Sequence, residues 1–93
     1  MDFTINANGN SDTVRLPVDK ADFRVSVMSV QSADFDGNYK IQYSPDGINW
    51  LDHEVATNIT KNSCNNLYFP VPYMRIVTAG RTKGSLQIFV FGA

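Results

Sequence analysis

A single histidine, His53, is the side chain in this sequence best suited to transfer a proton near neutral pH. Nucleophilic catalysis would place it beside a serine or Cys64, with an acid orienting the ring. Asp52 and Glu54 flank it, but neighbouring residues of a strand point to opposite sides of the sheet. We therefore predict that His53 is a partly exposed residue at a strand end, without a catalytic role.

The acidic residues are the second candidate for chemistry, as the carboxylate pair of a glycosidase. Such a pair needs two carboxylates roughly 5–10 Å apart in a cleft. Eight of the nine acids are aspartates, and Asp34, Asp36 and Asp46 lie beside predicted turns, where aspartate forms local hydrogen bonds. We predict turn-forming roles for them and no catalytic residues, so the chain is not expected to be an enzyme.

A metal site is suggested by DFDGN, residues 34–38, which is similar to part of a calcium-binding loop. The EF-hand pattern requires acids at positions 1, 3 and 5, glycine at 6 and glutamate at 12. With Gly37 at the glycine position, Tyr43 stands where the glutamate is required, so the EF-hand interpretation fails. A calcium site of another kind stays open, but we favour a tight turn before Tyr39 and predict no cofactor.

Aromatic residues could form a carbohydrate-stacking platform, with Trp50, Tyr68 and Tyr73 as its candidates. Aromatic residues are also frequent in ordinary strands. Trp50 alternates in phase with Ile48, so we predict that it lies in the core.

The last apolar run, LQIFVF from Leu86 to Phe91, is apolar on nearly both faces. A central strand, or one covered by another subunit, has this pattern. Leu86, Ile88 and Val90 are expected to face the core, which leaves Phe89 and Phe91 on the other side. An exposed pair of phenylalanines is typical of a contact surface; burial under a loop is the alternative.

Two arginines, Arg24 and Arg75, lie in mid-strand among apolar residues. Each could lie along the outer face of a sheet or form an ion pair with an aspartate of another subunit. Tyr73 and Arg75 therefore join Phe89 and Phe91 as candidate contact residues.

The string YSPDGINW, residues 43–50, is predicted to form a hairpin turn. Pro45 sets φ at the first corner, and Asp46 and Gly47 tolerate positive φ. The string is one residue shorter than the Asp-box of sialidases, which also occurs in repeats that this chain lacks. We assign Pro45, Asp46, Gly47 and Trp50 a structural role.

The elements that position these residues are strands, because alternation recurs and no helical period of ten residues is present. Clear strands are predicted at Phe23–Val30, Tyr39–Tyr43, Tyr73–Val77 and Leu86–Phe91, and weaker ones at Phe3–Asn6, Thr13–Leu16, Ile48–Asp52, Glu54–Thr60 and Leu67–Phe69. Turn sequences separate them at residues 8–10, 36–38, 46–47 and 83–84. Pro70 and Pro72 indicate a sheet edge or a crossing between sheets.

We predict an all-β fold, a single small antiparallel β-sandwich of about eight short strands. Jelly-roll and immunoglobulin-like strand orders fit equally well. The predicted core consists of inward-facing residues of the strands: Phe23, Val25, Val27, Ile41, Tyr43, Trp50, Met74, Ile76, Leu86, Ile88 and Val90.

Length and composition limit the function further. The 93 residues suit one domain, residues 1–93, with residues 1–12 as a loosely held arm. The formal net charge of −1 provides no basic excess for nucleic acid, and no basic amphipathic segment suits a membrane. We expect no secretory signal, and the lone Cys64 indicates production in a reducing cytosol.

The strings NYKIQYSPDGINWLDH, YMRIVTAG and GSLQIFVFG, within residues 23–92, resemble small virion proteins of tailed bacteriophages. The resemblance implies a structural protein of the particle, such as a capsid decoration (cement) protein or a knob or fibre component. It implies a homo-oligomer, with a trimer favoured, that binds the major capsid protein on the capsid surface after production in the host cytoplasm. The alternative is a carbohydrate- or receptor-binding module of a phage tail or adhesin.

Overall fold

A computed structural model describes residues 2–16, 23–54, 56, 59–69 and 71–92, with the backbone alone described at 23, 24 and 92. The described chain contains nine strands and confirms the predicted all-β fold. They are β1 (Asp2–Ile5), β2 (Gly9–Asn10), β3 (Val14–Arg15), β4 (Phe23–Gln31), β5 (Asp36–Ser44), β6 (Leu51–Asp52), β7 (Ser63–Phe69), β8 (Tyr73–Lys83) and β9 (Leu86–Gly92).

The strands form two antiparallel sheets that pack face to face. The four-stranded sheet has the order β1-β9-β4-β7, and the five-stranded sheet has the order β2-β8-β5-β6, with β3 also paired to β8. This strand order is that of a jelly roll, in which the chain alternates between sheets and its first and last strands are neighbours. Val71 and Pro72 connect β7 to β8 in the other sheet, the crossing that the prolines predicted; Pro70 lies outside the described residues.

The core lies between the sheets because alternate residues of the long strands are apolar and point inward. Eight of the residues that were predicted to lie in the core are fully or almost fully buried: Val25, Val27, Ile41, Met74, Ile76, Leu86, Ile88 and Val90. Each such side chain contributes roughly 1.5–3 kcal/mol on burial. The prediction was wrong for Trp50, which is half-buried outside the core, and incomplete for Tyr39 and Phe69, which are buried. Tyr43 is half-buried against the core, and the side chain of Phe23 lies outside the described part.

The tight turn predicted at Asp36-Gly37-Asn38 is instead the start of β5, with a bulge between Asp36 and Asn38. Opposite it, β8 passes so close that a Cβ on Gly37 would stand 2.9 Å from the Cα of Arg81. Glycine is therefore required here by the approach of two backbones.

A strand was predicted at Glu54–Thr60, but the residues of this segment that the structure describes do not form one. The segment follows the edge of β5 through separate backbone contacts: His53 N–H donates to Ile41 O (2.8 Å), Ile41 N–H to Ala56 O (2.9 Å), and Ile59 exchanges two bonds with Tyr39. These contacts fall three residues apart, whereas an antiparallel ladder bonds alternate residues. Residues 55, 57 and 58 lie outside the described part.

The predicted N-terminal arm contributes two edge strands. β1 pairs with β9 from Asp2↔Phe89 to Ile5↔Leu86, and β2 pairs with β8. Asn8 also joins the β8 backbone, since its side chain accepts from Arg81 N–H (2.8 Å) and donates to Arg81 O (3.1 Å). How loosely the arm is held stays a prediction.

A buried polar cluster joins the two sheets through the core. The Tyr39 hydroxyl, on β5, donates to Ser29 Oγ on β4 and lies 3.2 Å from Ser63 Oγ on β7. The two serine hydroxyls are 3.0 Å apart. The ring therefore fills the core while its hydroxyl satisfies two polar groups of the opposite sheet.

Replacing Tyr39 by Phe is expected to lower the free energy of unfolding by about 1–2 kcal/mol, because a buried hydrogen bond is lost. Urea denaturation measures the change. Tyr73→Phe is the matched control: Tyr73 accepts a bond from Arg15 at the surface and should cost less than about 0.5 kcal/mol. Equal losses for both variants would show that the buried cluster does not join the sheets.

Candidate functional site

The outer face of the five-stranded sheet carries a network of polar side chains. The Arg75 guanidinium lies 4.2 Å from the centre of the Trp50 ring, and Arg75 Nε donates to Gln42 Oε1 (2.8 Å). Gln42 in turn donates to Asp52 (2.8 Å), and Lys40 forms an ion pair with Asp52 (3.1 Å). Trp50 therefore covers Arg75 instead of filling the core, and Arg75 lies along the outer face with partners from its own chain.

Tyr73 lies on the same outer face and is also engaged. Arg15 Nη1 donates to the Tyr73 hydroxyl (2.7 Å), and the guanidinium lies 5.1 Å from the ring centre. The four predicted contact residues are thus divided: Tyr73 and Arg75 lie on this face, and Phe89 and Phe91 on the opposite side. The proposed sugar platform is divided in the same way, because Tyr68 is on β7 of the other sheet.

The outer face of the four-stranded sheet is apolar at its centre. In the strand register Met28 stands opposite Phe89, and Val30 follows it on the same side of β4. We call Met28, Val30, Phe89 and Phe91 the apolar face. Phe91 is 48% exposed, Met28 and Val30 are exposed, and Phe89 is half-buried. A shallow cavity of about 420 Å³ is lined by Asp2, Met28, Phe89 and Phe91.

The apolar face could be anticipated in part from the sequence. The Phe89 and Phe91 pair was predicted from the two-faced pattern of the last strand, and β9 is indeed central, between β1 and β4. Met28 and Val30 lie where the second face of the β4 run turns apolar. What the sequence could not indicate was that β4 and β9 are neighbours, because 55 or more residues separate their paired positions, as in Gln31↔Leu86.

The predicted hairpin turn is confirmed, with Gly47 at φ 78°. Asp46 organises it: the carboxylate accepts from the backbone N–H of Ile48 and Asn49 (both 2.9 Å) and from the Asn49 side chain (2.7 Å). Ser44 Oγ accepts from Gly47 N–H (2.8 Å). The bonds that Asn49 and Ile48 donate to the carboxylate favour its ionised form, so the pKa of Asp46 lies well below its ordinary value of 3.8.

The lowered pKa of Asp46 predicts how acid affects stability. A carboxyl group whose pKa falls on folding stabilises the protein above its unfolded pKa, near 3.8, and this stabilisation is lost as pH falls toward the folded pKa. Urea denaturation from pH 6 to pH 2 should therefore show Asp46→Ala less stable than the unmodified chain at pH 6. The gap between the two curves should narrow as pH falls below the unfolded pKa, near 3.8. Parallel curves would mean that the hairpin bonds do not depend on the ionised carboxylate.

His53 is buried, which corrects the prediction of a partly exposed residue. Its Nε2–H donates to the backbone carbonyl of Tyr68 on β7 (3.1 Å), since a carbonyl oxygen can only accept. The ring packs between Tyr43 and Phe69, at centroid distances of 5.5 and 5.2 Å. His53 thus closes one side of the sandwich by joining the β6 edge of one sheet to the β7 edge of the other, a tertiary role with no local sequence signal.

Replacing His53 by Ala should lower the free energy of unfolding by about 2–4 kcal/mol, through the cavity and the lost bond. Its neighbour Glu54, which is exposed and accepts from the Tyr43 hydroxyl (3.2 Å), supplies the control. Glu54→Ala should change stability by about 0.5 kcal/mol or less. A His53→Ala variant as stable as Glu54→Ala would refute the bridging role.

The DFDGN segment is held by partners within the chain. Asp34 accepts from Ser32 Oγ (2.7 Å), which lowers its pKa, and Asp36 accepts from Thr82 Oγ1 (2.8 Å). Within the described part of the chain, no three His, Cys, Asp or Glu residues are grouped as metal ligands would be. Of the residues described, none belongs to a helix long and apolar enough to cross a membrane.

Comparison with known proteins adds no relative: no family model, no curated protein and no solved structure matches the chain. Function is therefore proposed from the geometry of the two outer faces and the hairpin.

Proposed function

We propose that this chain is a non-enzymatic structural protein of a phage virion that decorates or cements the capsid shell as a homo-oligomer, with a trimer favoured. The observation that carries the proposal is the apolar face, Met28, Val30, Phe89 and Phe91. The resemblance of the strings in residues 23–92 to small virion proteins supports it. Under this proposal the partners are the major capsid protein and further copies of the chain, on the capsid surface.

The apolar face supports a lasting protein contact because its residues gain nothing from water. Phe91 keeps 48% of its surface in solvent, and Met28 and Phe89 lie beside it around the cavity, while its register partner on β4 is Ser26. Burying apolar area contributes about 25 cal/mol per Å², and the centres of protein interfaces are aromatic and poor in charge. Clustered apolar residues beside a cavity are typical of such a centre.

The opposite outer face supports the choice of the apolar face by contrast. Its charged and aromatic side chains already have partners. The guanidinium of Arg75 lies against the Trp50 ring, that of Arg15 lies against the Tyr73 ring, and Lys40 forms an ion pair with Asp52. Polar groups that are satisfied within the chain gain little from a new partner.

The jelly roll is compatible with both candidate functions, since viral capsid proteins and lectins share it, and a fold alone does not determine function. A carbohydrate site would need stacking rings that are open on one side of the molecule. Here a guanidinium lies over one face of the Trp50 ring and of the Tyr73 ring, and Tyr68 lies on the other sheet, so the three candidate rings do not form one platform. The virion role is therefore the one that we propose.

Purified chain should bind emptied, decoration-free capsids and sediment with them at a saturating number of copies. Phe91→Ser should weaken this binding about tenfold or more, the loss of roughly 1.4 kcal/mol. Val77→Ser, the same kind of change on the outer face of the five-stranded sheet, should leave binding unchanged. Cys64, exposed and opposite Met28 in the strand register, should react more slowly with iodoacetamide once capsids are bound.

Two results would contradict the proposal. One is an unmodified chain that stays a monomer in light scattering and does not sediment with capsids. The other is equal binding by Phe91→Ser and Val77→Ser, which would separate capsid binding from the apolar face.

A further inference from the structure

Strand β1, residues Asp2–Ile5, lies at one edge of the four-stranded sheet. In the described part of the chain it pairs on one side only, with β9, and the register runs from Asp2↔Phe89 to Ile5↔Leu86 without a shift. An edge strand carries backbone N–H and C=O groups that another strand can bind, and proline, lysine or a bulge commonly protects it. The four residues of β1 include no proline and no lysine, and they form no bulge. The edge is therefore suited to the addition of a strand.

The other sheet edges are less suited to strand addition. Strands β2, β3 and β6, at the edges of the five-stranded sheet, have two residues each. At the β7 edge the Tyr68 carbonyl already accepts a bond from His53, whose ring packs on Phe69. Further along β7 the residues that face the other sheet are Ser63 and Asn65, which are polar. Among the described edges, β1 therefore combines an unpaired backbone with apolar residues on its inner side.

The side chains of β1 alternate between the two faces of the sheet. Phe3 and Ile5 face inward and pack in or against the core. Asp2 and Thr4 are exposed, and Asp2 lines the cavity of the apolar face on the outer side. On the inner side, Phe3 and Ile5 line an open cavity of about 290 Å³, together with residues 6–12. The sandwich is therefore open beside β1, where a further strand would lie.

This alternation makes β1 complementary to a second copy of itself. A two-fold axis through Thr4 would place Thr4 opposite Thr4 of the second copy on the outer face. Phe3 of each copy would then lie opposite Ile5 of the other on the inner side, and Asp2 opposite Asn6. Threonine pairs and aromatic–β-branched pairs are both favourable across antiparallel strands, whereas like charges directly opposite are destabilising. This register contains both favourable pairs and no pair of like charges.

We propose that two copies of the chain pair antiparallel through β1, so that their four-stranded sheets join into one sheet of eight strands. The second copy is the occupant because the edge binds an extended strand and the side chains of β1 complement themselves. The contact is isologous. It is small, with four residues of β1 from each copy, so we expect a weak dimer. The proposal goes beyond the capsid role and does not depend on it; a trimer would need a separate contact, such as one through the apolar face.

The pairing has a consequence for the capsid role. The two-fold axis is perpendicular to the joined sheet, so the apolar faces of both copies lie on the same side of it. Because β9 is next to β1, only the two β1 strands separate the two β9 strands. Under the proposed capsid role, the dimer would contact one shell at two points, and the first contact would raise the effective concentration of the second.

Cysteine cross-linking tests the register. In a Cys64→Ser background, which removes the exposed native thiol, Thr4→Cys places two thiols opposite each other. Their Cα atoms should be about 4.5–5.5 Å apart, within disulfide range, so mild oxidation should give a disulfide-linked dimer on a non-reducing gel. Asp2→Cys, on the same face of β1, is the matched control. Its two copies would be roughly 13 Å apart along the strands and should cross-link at least about tenfold more slowly.

Charge substitutions at Thr4 test the same contact in solution. Thr4→Lys and Thr4→Glu each place like charges opposite each other, and each should raise the dissociation constant of the dimer about fivefold or more in light scattering. An equal mixture should restore the dimer, because lysine then lies opposite glutamate. Thr60→Glu, at an exposed site beside β5, should dimerise like the unmodified chain. Circular dichroism verifies that each variant is folded.

The proposal is overturned if the unmodified chain is a monomer at every concentration tested, if Thr4→Cys cross-links no faster than Asp2→Cys, or if Thr4→Lys dimerises like Thr60→Glu. These results are separable from failure of the capsid role, which sedimentation with capsids measures. A chain that binds capsids without pairing through β1 retains the proposed function and loses this contact, whereas pairing through β1 without capsid binding does the reverse.

Discussion

Strand β9 constrains the whole molecule because it is apolar on both faces except at Gln87 and lies inside the four-stranded sheet, between β1 and β4. Leu86, Ile88 and Val90 complete the core on one side. Phe89 and Phe91 then lie on the outer side, where the other sheet cannot cover them. A strand with one polar face would have satisfied the core equally well. The second apolar face is therefore the feature on which the proposed contact with another chain depends.

The other strands carry the polar contacts of the fold, both between the two sheets and on the outer face of the five-stranded sheet. Tyr39 and His53 join the sheets from inside and at one edge, each through a hydrogen bond to the opposite sheet. Arg75 and Trp50 close the outer face of the five-stranded sheet. The hairpin is ordered by Asp46 and yet exposes Ile48. One outer face is thus satisfied by contacts within the chain, whereas the other is apolar and exposed at its centre.

Alternation predicted most strands and the buried face of each, because residues of a strand point alternately to its two sides. It failed where side-chain hydrogen bonds or close backbone contacts determine the course of the chain instead. Trp50 was placed in the core on the assumption of a strand from Ile48, but the bonds of Asp46 hold residues 48 and 49 in the loop and β6 begins at Leu51. Gly37 was predicted to form a turn, but it lies in β5 against Arg81, where the register between β5 and β8 is irregular. The jelly-roll order, and hence the apolar face, follows from pairings between strands far apart in the chain.

Electron cryomicroscopy of emptied, decoration-free capsids incubated with the chain would test whether the apolar face binds the shell. We expect density for the chain at symmetry-related positions on the shell, with Phe89 and Phe91 covered by protein. Bare shells, or bound chains whose apolar face is open to solvent, would contradict it.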